Sequence, residues 1–243
     1  MRVLVLVAAV AVLLVPAVAR AGGVPVQVVA VGSTLWTVSD EGLLAVDPVS
    51  GRIVARPATP YPYAVRIAAG AGALWVASVE NGYGSGAVTR IDGRTRRAVT
   101  PLRLPRQGVY DVCASGSRAW AIVGRSSGRR VAVLGDGPNR IVTPPAEPAW
   151  CAADTAGAWI STEHGRLLHF DASSGAVSSS WACDGIGQLA TGRGAVWATC
   201  RSSIARIDER TRAVVTIPVA GIPDAVAVGP SGVWALTYDL RGR

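Results

Sequence analysis

Six tryptophans recur along the 243-residue chain at nearly equal steps. Trp36, Trp75, Trp120, Trp159, Trp197 and Trp234 each follow a Leu, Ala or Val and are separated by 39, 45, 39, 38 and 37 residues. Self-similarity near 40 residues marks an array of like units, each of which buries its apolar surface only against its neighbours. Helical repeats of that length need apolar residues at a 3.6-residue period. These units instead show four short strand-like runs apiece. The expected fold is all-β, a β-propeller of five full four-stranded blades plus a partial sixth.

Alignment on the tryptophans exposes the unit. An apolar strand such as Val65 to Ala69 or Val109 to Ala114 ends in a Gly-containing turn, and the tryptophan strand follows. A polar loop then leads to a third strand closing on Val46-Asp47, Ile91-Asp92, Phe170-Asp171 or Ile207-Asp208, and a fourth strand follows a tight turn. Short runs bounded by Gly, Asp, Ser and Pro are what a meander requires. Each of those aspartates precedes a Ser or Thr by three residues, which suits a side chain that accepts backbone N–H bonds within its own turn. Repetition in one unit after another reads as turn chemistry, because catalysis needs a single asymmetric constellation. The third unit departs from the pattern, with Leu134-Gly135-Asp136-Gly137-Pro138-Asn139 in place of the aspartate turn. After Trp234 only nine residues remain, enough for the second strand of a sixth blade but not its third or fourth. An open strand edge is expected there, with Asp239, Arg241 and Arg243 as charges that could blunt it.

The N-terminus carries Arg2, an apolar run from Val3 to Val15, Pro16 and two overlapping small-x-small sites ending at Ala19 and Ala21. That pattern predicts a secretory signal peptide over residues 1–21 and a single propeller domain over 22–243. An uncleaved N-terminal anchor is the competing reading. Beyond it, nothing approaches the ~20 continuous apolar residues of a membrane helix, so no transmembrane domain is expected after cleavage. The expected location is secreted, extracytoplasmic or cell-wall associated.

All 24 basic residues are arginine; without Arg2 and Arg20, 22 remain against 16 carboxylates, a charge near +6 for the mature chain. Such a surface favours anionic partners. Export, and arginines scattered rather than gathered in a stripe, argue against nucleic acid. Four cysteines in a chain bound for an oxidising compartment predict two disulfides. Cys183 precedes the inner strand of the fifth blade and Cys200 ends its second strand, so the first expected bond joins them. Cys113 and Cys151 lie seven and eight residues before their own tryptophans, on opposite faces of neighbouring inner strands, so they either face each other between the third and fourth blades or face away; the first arrangement, a second bond, is the expected one. With no Cys-x-x-Cys pair, no metal is expected at these cysteines, and no cofactor is expected at all.

The pattern of apolar strand, Gly turn, Ala/Val/Leu-Trp-Val/Ala and then Arg-Ile-Asp-x-x-Thr resembles the secreted bacterial propellers grouped with YVTN repeats, NHL repeats and virginiamycin B lyase. The resemblance spans nearly the whole mature chain and implies the propeller fold. In the lyase it would imply a magnesium ion and a catalytic histidine and glutamate on one face. Only Glu163 and His164 come together here, and the Pro-His-Gly-type blade openings of that enzyme are missing.

In a propeller the loops between blades share one face with those between second and third strands. That face is expected to gather the ligand-binding candidates Tyr63, Arg66, Tyr83, Tyr110, Asp111, Trp150, Asp184 and Asp224, with Glu163 and His164 as the candidate acid/base pair. The opposite face should carry the aspartate turns with Arg52, Arg94, Arg96, Arg97, Arg210 and Arg212, a basic rim suited to an anionic cell-wall polymer. The functional expectation is an exported binding scaffold for a small polar ligand, a glycan or a protein. The alternative is a lyase or hydrolase of the virginiamycin B lyase type working at the channel mouth.

Overall fold

A computed structural model describes residues 27–39, 42–81, 84–99, 102–125, 128–135, 137–229 and 231–238. The predicted signal peptide, Tyr83, Asp136, Asp239, Arg241 and Arg243 therefore lie outside the described residues. Two compact units emerge, which we take in turn: residues 27–143 and residues 144–238.

The first unit holds three four-stranded antiparallel meanders. They are β1 (Gln27–Val31), β2 (Thr34–Ser39), β3 (Gly42–Val46) and β4 (Ile53–Ala55); β5 (Tyr63–Gly70), β6 (Ala73–Val79), β7 (Gly86–Asp92) and β8 (Leu102–Leu104); and β9 (Gly108–Ser115), β10 (Arg118–Gly124), β11 (Arg130–Leu134) and β12 (Arg140–Val142). The second unit holds two more, β13 (Pro148–Asp154), β14 (Gly157–Thr162), β15 (Arg166–Asp171) and β16 (Val177–Ala182), then β17 (Leu189–Gly192), β18 (Ala195–Cys200), β19 (Ser203–Asp208) and β20 (Val214–Pro218). A two-stranded sheet of β21 (Ile222–Gly229) and β22 (Gly232–Tyr238) ends it. Five full blades and a half-blade are what the tryptophan spacing predicts.

The tryptophan strands β2, β6 and β14 are buried along their whole length. A strand covered on both faces cannot alternate apolar and polar residues, and these read as nearly continuous apolar runs broken by small hydroxyls. Three of the repeat tryptophans reach the sheet that follows them. Trp36 clusters with Ile67, Leu74, Val76 and Ile91 of the second sheet. Trp75 clusters with Val112, Ala119 and Ala121 of the third, and Trp159 with Val196, Ala198, Ala205 and Ile207 of the fifth. An indole taken fully out of water contributes roughly 4–6 kcal/mol as an upper figure from its area.

The fifth sheet shows what happens when the next sheet is short. Val196 and Ile207 face the fourth sheet, so Trp197, Arg206 and Val215, which lie opposite one another in register, face the other way. Trp197 is only half-buried, and the Arg206 guanidinium sits 5.9 Å from its ring centroid. Val215 and Ile217 are 52% and 40% exposed. Among the described residues β22 pairs with β21 alone.

The aspartate turns form as expected. Asp47 Oδ1 accepts the amides of Val49 (3.0 Å) and Ser50 (2.6 Å) and the Ser50 hydroxyl (2.8 Å). The same three contacts recur at Asp92, Asp171 and Asp208. At Asp47, Asp92 and Asp208 the amide three residues on, then its hydroxyl, holds the carboxyl below the ordinary range; at Asp171 the Ser173 hydroxyl leads. The residue that ends each turn is left-handed: Gly51 (φ 67°), Arg96 (φ 59°), Gly175 (φ 70°) and Arg212 (φ 61°).

Cys183 and Cys200 are joined, with their Cα atoms 6.1 Å apart. Cys113 and Cys151, the second expected pair, are both buried and lie one in each unit. Their strand parity is as read: Cys113 lies opposite Trp120, whereas Cys151 lies opposite Ile160 and so on the other face from Trp159. Parity sets which way a side chain points but not the Cα spacing a disulfide requires, and a buried thiol is satisfied as a small apolar group.

Three outcomes test this account. Replacing Cys183 and Cys200 together by Ser should cost ~3 kcal/mol in denaturant unfolding, the loop-closure value for a bridge of this span. Ile207→Ala should cost about 2–5 kcal/mol. Val215→Ser, on the uncovered face of the same sheet, should stay within about 0.5 kcal/mol of the parent.

Candidate functional site

Antiparallel connectivity puts the loop between second and third strands at the same end of a sheet as the link to the next sheet. The first unit concentrates polar chemistry at this end of its second and third sheets. Register there is broken by β-bulges on the inner strands: Val65 is the extra residue of β5 and Tyr110 that of β9. In the second unit Ala149 of β13 and Asp224 of β21 hold the same role. A bulge re-aims the side chains around it. The residues immediately after three of the bulges are Arg66, Asp111 and Trp150, so three of the expected ligand-binding residues share one structural position.

Arg66 and Asp111 are brought together, Nε to Oδ1 at 3.8 Å, with Asp111 buried. Arg66 Nη1 also donates to the Val65 carbonyl at 2.9 Å, which fixes the guanidinium over the bulge. Tyr110 is half-buried with the Arg129 guanidinium 4.5 Å from its ring centroid, a cation–π contact. Tyr63 lies at the start of β5 and is exposed. Tyr83 lies outside the described residues.

In the second unit Trp150 is half-buried on β13, while Asp184 and Asp224 are exposed. Glu163 and His164 are exposed on the turn between β14 and β15, where the Glu163 amide donates to the Glu147 carbonyl at 3.1 Å. The turn ends on Gly165 at φ 76°. Among the described residues no three of His, Cys, Asp and Glu group as a metal site would require.

Two clefts open in the first unit. One, of about 310 Å³, lies at the loop end between the β8–β9 link and the β10–β11 loop, lined by Arg106, Gln107, Arg125 and Arg130 with Gly124 and Gly128. The other, of about 400 Å³, runs along the outer strands between the second and third sheets, beside Trp75, Arg90, Leu102, Leu134 and Asn139. It exists where the third unit lacks the aspartate turn. Neither cleft is lined by Glu163 or His164. Arg106, Arg125 and Arg130 escape a reading from sequence, because arginines 5 to 24 residues apart converge only through the pairing of β9, β10 and β11.

The second unit also holds a stack that composition hides. His169 is buried opposite Trp159, with ring centroids 4.4 Å apart. Arg212, from the aspartate turn of the fifth sheet, lies 4.2 Å from the Trp159 ring centroid and brings Nη2 to 3.4 Å from His169 Nδ1. The indole N–H donates to Asp154 Oδ2 at 2.8 Å. One member of the expected basic rim, itself exposed, therefore also caps the buried Trp159 ring. Burial first, then the Arg212 charge, lowers the His169 pKa, against smaller opposing effects of Asp154 and Asp171. Burial, then the Asp154 charge and their shared hydrogen bond, raises that of Glu209.

The sheets and their order define a β-propeller fold. A β-propeller domain of Cps50 (Swd1) from Myceliophteria thermophila superposes with a TM-score of 0.69 at 13% identity, over 88% of this chain and 80% of that one. BamB of Moraxella catarrhalis gives 0.61 at 14% identity over 87% and 66%. The extracellular domain of BT4673 from B. thetaiotaomicron gives 0.66 at 13% identity over 88% of this chain, which spans 34% of that one. No family model and no curated relative matches the sequence. The likeness is one of fold.

The His169 stack has a pH consequence. A folded-state pKa below the ordinary 6.5 means that the unfolded chain binds more protons as pH falls below about 6.5, so this group's stabilisation is lost in that direction. Unfolding free energies at pH 7.5 and pH 5 should converge in His169→Gln relative to the parent. An unchanged difference would remove His169 from the account.

Proposed function

We propose that this protein is an exported binding module that takes a small polar ligand at the loop end of its second and third sheets. The observation that carries the reading is the concentration there of a cleft, the Arg66–Asp111 pair and the Tyr110–Arg129 contact on bulged strands. Bulges that displace side chains from the ladder are over-represented next to binding and active sites. A cleft with a few convergent polar groups is the ordinary form of a small-molecule site.

Export is supported by the Cys183–Cys200 disulfide, since such bonds persist in oxidising compartments. No helix among the described residues is long and apolar enough to cross a membrane. The repeat pattern fits the YVTN and NHL type of secreted propeller, and an extracellular domain stands among the proteins of similar fold. Glycans and other polar small molecules are the ligand classes that aromatic rings beside charged groups suit.

A thermal-shift screen of the mature chain against sugars, sugar phosphates, amino acids and divalent metals tests the reading. A ligand that raises the midpoint for the parent but not for Tyr110→Ala is the expected outcome. Hits that ignore Tyr110 and the cleft arginines alike, or no hit at all, would reject it.

A further inference from the structure

The arginine-lined cleft is specific enough to name the chemistry of its occupant; the inference rests on the loop-end binding reading and deepens it. Three guanidiniums, Arg106, Arg125 and Arg130, border one cleft of about 310 Å³, and no carboxylate is among its lining residues. Like charges gathered in this way repel, and the arrangement costs stability unless an anion relieves it.

The arginines are also held in place. Arg130 Nη2 donates to Gln107 Oε1 at 2.8 Å, and Arg125 Nε donates to the Arg106 carbonyl at 3.4 Å. Each bond uses one donor of a five-donor fork and leaves the others for a ligand. Arg106 sits in the left-handed region at φ 59°, with its amide 3.4 Å from the Ser85 hydroxyl. Ordinary side chains pay about 1–2 kcal/mol for that conformation. Gly124 and Gly128 present bare backbone to the same cleft, which lets a ligand approach closely.

We infer that the cleft binds an oxyanion group, phosphate or sulfate, carried on a small polar molecule. Arginine forks match the paired oxygens of such groups. The volume lies at the low end of the ~300–1,000 Å³ of small-molecule sites, which leaves room beyond the anion for the group that bears it. The Tyr110–Arg129 contact lies at the same end of the third sheet, outside the residues that line the cleft.

Calorimetric titration of the mature chain at low ionic strength with inorganic phosphate, inorganic sulfate, glucose 6-phosphate and glucose tests the inference. Phosphate or sulfate should bind, and the sugar phosphate should bind more tightly than the bare ion if the group beyond the anion is recognised. Equal affinity would assign the site to the ion itself. Arg106→Ala and Arg125→Ala should each weaken binding ~10-fold or more, since a hydrogen bond to a charged group is worth ~1.5–3 kcal/mol. Both side chains are exposed, so the ligand-free melting midpoint should hold or rise as the repulsion is relieved, and Arg94→Ala, on a distant turn, should bind as the parent does. Binding unaltered by either cleft variant, or no binding of any of the three anions, overturns the inference. If glucose alone binds and Tyr110→Ala abolishes it, the loop-end reading survives without the anion; if nothing binds there in this titration or in the wider screen, both fall.

Discussion

The structure depends on one repeated contact, made by Trp36, Trp75 and Trp159, in which the indole of one sheet is seated on the sheet that follows. Trp36, Trp75 and Trp159 are all but removed from solvent, and each does this by leaning on four or so aliphatic side chains of the next meander. A four-stranded meander is two-faced and thin, so it has no interior of its own. The apolar run of a tryptophan strand makes sense only if sheets cover both faces. The fifth sheet is the internal control: where the following sheet has two strands, its tryptophan is half-exposed and its outer valine and isoleucine face water.

With the sheets fixed by that contact, their two ends take on different characters. At one end the aspartate turns are closed, self-satisfied units in which one carboxylate oxygen meets three donors. Little hydrogen-bonding capacity is left over. At the other end, loops of unequal length and bulged inner strands leave side chains aimed out of the ladder, and the arginines there keep unused donors. The division follows from the repeat itself, since identical turns can be optimised once and copied, whereas the loop end is where one unit can differ from another.

Much of this was legible in the residues. The step between tryptophans located every blade, and the aspartate with Ser or Thr three residues on identified the turns. The spacing of Cys183 and Cys200 identified a bond, because the link that enters the fifth sheet returns to the end of that sheet's second strand. The candidate site was legible only in part. Arg66, Asp111 and Trp150 were singled out for chemical type, but their equivalence comes from bulges, and one extra residue in a strand leaves no compositional mark. Glu163 and His164 attracted notice by adjacency and stand exposed on a turn. His169, which looked ordinary, is the buried histidine with a cation at its ring.

Sequence by itself therefore determined the number of sheets, the order of their strands and the chemistry of their turns. Those properties are local or periodic, and the steric and hydrogen-bonding rules behind them act within a few residues or repeat at a fixed step. Tertiary structure alone decided which side chains meet. The cleft of Arg106, Arg125 and Arg130 and the seating of Arg212 over Trp159 both depend on distances between strands, to within an ångström or two. Periodicity specifies the faces on which residues stand; only packing sets how far apart they are.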